Sequence, residues 1–373
     1  MKNFVALLNS KLSILMLFAI IALNCAPNLN KLQTFSEKLP NYYNNKKLVL
    51  KGKTDFFDKS IPPKYTLSSA HIENICSQYP DLEELRIIDW QFLNANWSPL
   101  KKLTKLKKLQ ISSFCYGTFK LNNTFSEALS NLTQLESLRL NECKIIEFES
   151  TSFLSKLENL KELYLFDLKV SRTSFINQLG LLSNLEKLEI KVSEEDSKIA
   201  ASEISKLRNL KYLILDADAV DTPNLHELHK LDSLEIKIYS KHSNAYKIIE
   251  NIKNLSYLKI NLRQRDLMIF ELPSSLKNYH IDIKYDNKFF ESSTVGLLSG
   301  IKNLNNLESI HIRYCYTISM RYPEVTYVKI KDFHKSLNQK IKSMKISKNP
   351  IKVTYETYEL NNWDKPTFYE FIL

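Results

Sequence analysis

The chain has 373 residues, enough for one large domain or two ordinary ones, and its 44% hydrophobic and 25% charged composition can bury a core and excludes intrinsic disorder. Only 5 glycines occur, scattered at Gly52, Gly117, Gly180, Gly296 and Gly300; that counts against the clustered glycines of a phosphate cradle or a sharp nucleophile turn. The formal net charge of +11 is uneven: residues 151–240 hold 12 Lys/Arg against 15 Asp/Glu, residues 301–353 hold 11 against 3. A basic region of that kind is either a solvated lysine-rich surface or an attractor of acidic polymers.

The N-terminus reads as an address. Lys2 and Lys11 precede the apolar run LSILMLFAIIAL (12–23), which has the length of a signal h-region and is short for a membrane span. Leu23-Asn24-Cys25 follows. That stretch resembles the lipobox of bacterial lipoproteins, which implies a signal peptide over 1–24 and diacylation of Cys25 as the new N-terminus. Asn24 stands where Gly, Ala or Ser is usual. Two or three acyl chains, at about 0.8 kcal/mol per buried CH₂, would hold such a protein on a membrane. Residues 25–34 read as a tether and 35–81 as an N-terminal cap, with KLVLK (47–51) as a candidate edge strand.

Beyond residue 81 the chain repeats. LEELRIIDW (82–90), LKKLQISSF (106–114), LESLRLNEC (135–143), LKELYLFDL (160–168), LEKLEIKVS (185–193) and LKYLILDAD (210–218) share L-x-x-L-x-L/I, and Leu135, Leu160, Leu185 and Leu210 are 25 residues apart each time. Looser copies follow as LDSLEIKIY (231–239), LSYLKINLR (255–263), LKNYHIDIK (276–284) and LESIHIRYC (307–315), then two degenerate ones, VTYVKIKDF (325–333) and IKSMKISKN (341–349). A second signature precedes many copies, as in LENLKEL, LSNLEKL and LRNLKYL. The core of each copy alternates with period 2, which predicts a short strand with one buried face. Connectors such as SRTSFINQLGLLSN (171–184) and DSKIAASEISKLRN (196–209) carry apolar residues at three and four, which predicts helix on an outer face. No single unit covers its own apolar face, whereas stacked units do.

These tandem copies resemble the leucine-rich-repeat family over most of residues 70–350, and with the N-terminus they resemble exported bacterial lipoproteins of that kind. The resemblance implies an α/β solenoid, a horseshoe with a concave parallel β-sheet and a helical or irregular convex side. It places repeats over 82–353, about 10 to 12 coils, and a C-terminal cap over 354–373. In the family pattern the place after the strand holds Asn or Cys and turns the chain inward. Cys143, Cys315 and Asn349 fall there, so Cys143 is expected to be buried and structural. Seven coils, roughly 34 Å, separate Cys143 from Cys315, which excludes a disulfide between them. Cys115 lies on the coil before Cys143 and one residue out of register.

A solenoid of this kind binds through its concave face. The residues alternating with the buried leucines give a central column of Arg86, Gln110, Arg139, Tyr164, Glu189, Ile214, Glu235, Lys259, His280, His311, Lys329 and Lys345, flanked by Glu162, Phe166, Tyr212, Asp216, Tyr257 and Arg313. Two zones emerge. Tyr164, Phe166, Tyr212, Ile214 and Tyr257 are candidate aromatic and apolar anchors for a protein or glycan ligand, although a sheet face also selects such β-formers for its own sake. Lys259, His280, His311, Arg313, Lys329 and Lys345 form a basic strip, which suits an acidic polysaccharide.

Catalytic signatures are missing. There is no G-x-S-x-G, Walker A, paired C-x-x-C or dinucleotide turn. LHELHKL (225–231) sets His226 and His229 three apart, where a zinc protease helix needs four. His280 and His311 could hold a metal with Asp282, but ordinary zinc sites show three or four ligands that converge, and a metal is not expected here. An enzyme, a cofactor and a nucleic-acid partner are therefore not expected. The four N-x-S/T sequons at Asn96, Asn122, Asn131 and Asn254 are expected to be chance matches in an Asn- and Ser-rich chain.

Overall fold

The computed structural model describes residues 43–44, 46–51, 66–92, 95–112, 120–141, 144–145, 153–166, 169–170, 175–192, 197–217, 225–238, 249, 251–262, 271–284, 300–316, 339, 351–359 and 362–372. In chain order the elements begin with β1 (Tyr43–Asn44), β2 (Lys47–Lys51), β3 (Thr66–Leu67), helix α1 (Ser69–Gln78), β4 (Glu84–Ile88) and β5 (Gln91–Phe92). Then come β6 (Lys108–Ser112), β7 (Lys120–Leu121), α2 (Asn123–Leu129), β8 (Ser137–Asn141), β9 (Lys144–Ile145), β10 (Glu162–Phe166) and β11 (Lys169–Val170). β12 (Lys187–Val192), α3 (Ser197–Ser205), β13 (Tyr212–Ala217), β14 (Ser233–Ile238) and β15 (Tyr257–Leu262) follow. The last are β16 (Asn278–Lys284), β17 (Ser309–Tyr316), β18 (Lys352–Glu359) and β19 (Asn362–Ile372).

Fourteen strands form one open sheet in the order β1-β2-β4-β6-β8-β10-β12-β13-β14-β15-β16-β17-β18-β19. The twelve from β2 to β18 are parallel, and β1 and β19 close the two ends antiparallel. Parallel neighbours need a crossover each time, and the strand order follows the chain order, so the strands stack as coils. This is a leucine-rich-repeat solenoid, as the repeat pattern implied.

The leucines explain the stacking. The first leucine of each copy (Leu82, Leu106, Leu135, Leu160, Leu185, Leu210, Leu231, Leu255, Leu276 and Leu307) is buried, as are the second and third. They face the convex elements, so each coil seals the core of its neighbours. Burying one such leucine is worth about 1.5–3 kcal/mol, and about three per coil sustain a fold that no single coil could hold. Tyr279 takes the second leucine's place in β16 and is fully buried between Leu258 and Ile310.

The convex side is mixed. DSKIAASEISKLRN forms α3, as expected, but SRTSFINQLGLLSN yields a 3-10 helix, Ile176–Leu181. The difference follows from composition. Ala200 and Ala201 favour α-helix, whereas Ile176, Asn177 and Gly180 do not. Other coils also use 3-10 turns, including Ser98–Lys102, Leu154–Lys156, Leu225–Glu227 and Gly300–Asn303. α3 approaches the Gly180 coil so closely that a Cβ there would lie 2.6 Å from the Glu203 carboxylate, which accepts the Gly180 N–H.

Two ladders run along the edge where the chain enters the sheet. The Asn of the x-N-L signature reaches back one coil: Asn159, Asn184, Asn209 and Asn254 donate to the carbonyls of Thr133, Glu158, Ser183 and His229 at 2.6 to 2.9 Å. The sequence shows the signature but not this role. At the residue before each strand's entry, charge alternates over eight successive coils: Lys46, then Glu83, Lys107, Glu136, Lys161, Glu186, Lys211 and Asp232, each of the last seven one past a first leucine. Ion pairs join Lys46 and Lys107 to Glu83 at 2.8 Å, Lys161 to Glu136 at 3.5 Å and Lys211 to Glu186 at 3.0 Å. Exposed pairs add little stability each, about 0–1 kcal/mol. Alternation instead keeps like charges from stacking on neighbouring strands, which would oppose the register.

At the N-terminal end KLVLK is β2, in register with β4, and β1 covers its outer edge. At the other end β17 pairs directly with β18, and the expected boundary between 353 and 354 falls inside that strand. Cys315 departs from expectation. β17 continues to Tyr316, with Cys315 paired to Lys284 and Tyr358, so the chain does not turn there. The long strand β18 offers eight partners, enough to keep β17 extended past the usual turn. Cys25, Cys115, Cys143 and Asn349 lie outside the described residues. Cys76, in α1, is a buried free thiol, and burial pushes it up to about 12.

Candidate concave-face binding site

The strand register builds the concave face directly. Arg86, Gln110, Arg139, Tyr164, Glu189, Ile214, Glu235, Lys259, His280 and His311 are successive partners on neighbouring strands, as the period predicted. The next place belongs to Thr354 of β18, not to Lys329, because β18 is the strand hydrogen-bonded beyond β17. Lys329 and Lys345 lie outside the described residues, and of Phe166 only the backbone place beside Asn141 is described. Neighbouring strands are about 4.8 Å apart, so each column is a continuous stripe.

The first coils are locally neutralised. Glu84 takes Lys47 at 3.0 Å and Arg86 at 2.5 Å. Glu162 takes Lys187 at 2.8 Å, the Ser137 hydroxyl at 3.1 Å and Arg139 at 3.9 Å. The Arg139 guanidinium also lies over the Tyr164 ring, 3.8 Å from its centroid. Burial alone would raise the Glu162 carboxyl, but Lys187, Ser137 and Arg139 together hold it below its ordinary value.

The middle coils are different. Tyr212 and Tyr257 flank Ser233 in one column, so their strands lie about 9.6 Å apart with a small residue between them. Tyr164, Tyr212 and Tyr257 are half-buried, and burial pushes each phenol up, with Glu162 adding for Tyr164 and Glu235 for the other two. Ile214 and Glu189 lie beside them in the central column. Lys237 pairs with Asp216 at 3.2 Å. Glu189 has no ion pair or hydrogen bond among the described residues, and burial pushes its carboxyl up.

The later coils form a network rather than a bare basic strip. Lys259 bridges Glu235 at 3.1 Å and Asp282 at 3.5 Å. Asp282 also takes His280 at 2.8 Å and Arg313 at 3.7 Å, and Asn261 donates to Glu235. The His280 and His311 rings meet edge to face at 4.2 Å, and His311 bonds Thr354. Burial would raise the Asp282 carboxyl, yet His280, Lys259 and Arg313 outweigh it and hold it below the ordinary value. Of the two counter-charges the sequence shows Glu235 as a column residue and Asp282 only as a neighbour of His280, and the role of both needs cross-strand distances.

No group of three metal-ligating side chains forms among the described residues. His226 is exposed on the 3-10 turn Leu225–Glu227 and His229 is exposed just after it, and Glu227 between them pairs with Arg208 at 2.7 Å. The sequon side chains are occupied: Asn96 accepts from the Ser98 N–H, Asn122 accepts from Thr124, Asn131 donates to the Glu127 carbonyl, and Asn254 belongs to the edge ladder.

No family model matches this sequence, and no curated protein does. Among solved structures, a leucine-rich-repeat protein of Leptospira interrogans is similar at 18% identity, over 76% of either chain, with a TM-score of 0.45. Internalin C2 of Listeria monocytogenes is similar at 19% identity, over 66% of this chain and 76% of its own, with a TM-score of 0.31. The assignment of the fold rests on the repeat register itself.

Proposed function

We propose that this chain is an exported, lipid-anchored binding protein of the bacterial envelope that recognises a protein or glycan ligand on its concave face and performs no catalysis. The observation that carries it is the trio Tyr164, Tyr212 and Tyr257, half-buried on a face built of parallel strands and flanked by Ile214. Rigid tyrosines give large contact area at low entropic cost, and they dominate many binding surfaces. The basic charge start, apolar run and Cys25 support export and acylation. Among the described residues no helix is long and apolar enough to cross a membrane.

Replacing the three tyrosines together by alanine is expected to abolish capture of the partner that the wild type retains from host or envelope extracts, with the circular-dichroism spectrum unchanged. Undiminished capture would refute the concave-face reading. Metabolic labelling with radioactive palmitate should mark the wild type and not Cys25→Ala; equal labelling would remove the anchor. The other reading, a basic strip that holds acidic polysaccharide, is weakened by Glu235 and Asp282, which already engage Lys259 and Arg313.

A further inference from the structure

Glu189 is the odd carboxylate of the concave face. The cations that act on it also serve other anions, Arg139 pairing with Glu162 and Lys237 with Asp216, while Lys191 stands two places along β12 on the same face. Glu189 itself has no ion pair or hydrogen bond among the described residues. Its neighbours in the column are Tyr164 and Ile214. Tyr212 stands on the next strand, and both tyrosines feel its charge. A half-buried carboxylate without a partner is costly, and this chain pairs its other concave carboxylates at Glu84, Glu162, Asp216, Glu235 and Asp282.

We propose that Glu189, walled by Tyr164 and Tyr212, receives an arginine side chain of the protein ligand. The proposal rests on the concave-face reading above and names the chemistry of its central contact. Arginine fits on two counts. Its guanidinium presents two parallel N–H donors to a carboxylate, and its flat face stacks on tyrosine. The chain already shows the second half of this chemistry in itself, with Arg139 laid over Tyr164 at 3.8 Å. Charge complementarity is local, since the protein as a whole carries +11 and repels a cation at a distance. Burial holds the Glu189 carboxyl above its ordinary value, so an arriving guanidinium would bring it down. Capture is therefore expected to strengthen as pH rises through that value.

The test uses the full chain and a fluorescein-labelled hexa-arginine peptide, read by anisotropy. The wild type is expected to bind it, and Glu189→Gln to weaken binding at least tenfold. Glu136→Gln, at an exposed position on the sheet's entry edge, should change it less than twofold. Glu189→Gln should also unfold at the same or a higher urea concentration, which separates a ligand contact from a structural one. Absence of peptide binding by the wild type, or equal binding by Glu189→Gln, overturns the proposal. A protein ligand that Glu189→Gln still captures, but the triple tyrosine variant does not, overturns it too and leaves the concave-face reading standing.

Discussion

Asp282→Asn removes the hub of the later coils while keeping its shape. The wild-type carboxylate is 13% exposed and faces Lys259 at 3.5 Å, Arg313 at 3.7 Å and His280 at 2.8 Å. At those separations and an effective dielectric of about 20, each full charge pair is worth roughly 4–5 kcal/mol before desolvation. Burial of the carboxyl offsets much of that, and Arg313, at 33% exposed, is partly screened. A net loss of about 2–3 kcal/mol is expected, since Lys259 keeps only Glu235 of its two acids and Arg313 loses its contact with Asp282. In equilibrium urea unfolding at pH 7, with a slope near 3 kcal/mol/M, the midpoint should fall by about 0.7–1 M. The sign of the pH dependence follows from the depressed folded pKa of Asp282. Its contribution is complete above the unfolded value, about 3.9, and is lost as pH falls through the lower folded value. Wild type and variant should therefore converge in acid. Loss of the Asp282 charge should also delay the variant on heparin resin, with elution at higher NaCl. A midpoint within 0.2 M of wild type at pH 7, or a gap that does not narrow as the pH is lowered below about 3.9, would refute the network.

Other substitutions probe the core. Leu185→Ala, in the buried first-leucine column, should cost about 2–5 kcal/mol in urea unfolding, whereas Leu181→Ala, at a side chain 54% exposed, should cost under about 0.5 kcal/mol; similar losses would mean the register is wrong. Tyr279 is fully buried and its hydroxyl has no hydrogen-bond partner among the described residues. Tyr279→Phe should therefore raise stability by about 1 kcal/mol, and a loss of that size would show that the hydroxyl is bonded.

The sequence by itself determined the stack. An apolar residue at every first, fourth and sixth place of L-x-x-L-x-L can be buried in only one strand register, because a one-residue slip exposes every leucine. Ten residues of the central column, from Arg86 to His311, were legible for that reason, and so was β2 as an edge strand. Propensity between strands is weaker information. It separates α3 from the 3-10 turn at Ile176–Leu181 only once the alanines and Gly180 are weighed. Only the tertiary structure decided which strand follows β17. Pairing with β18 carries Cys315 past the expected turn and gives Thr354 the place beside His311 that the degenerate copies had suggested for Lys329. The charges show the same division. Sequence names the acids and bases of each coil, but Coulomb energy depends on distances between strands some 20 to 30 residues apart. Those distances alone turn the basic strip into a network around Asp282 and leave Glu189 without an ion pair among the described residues.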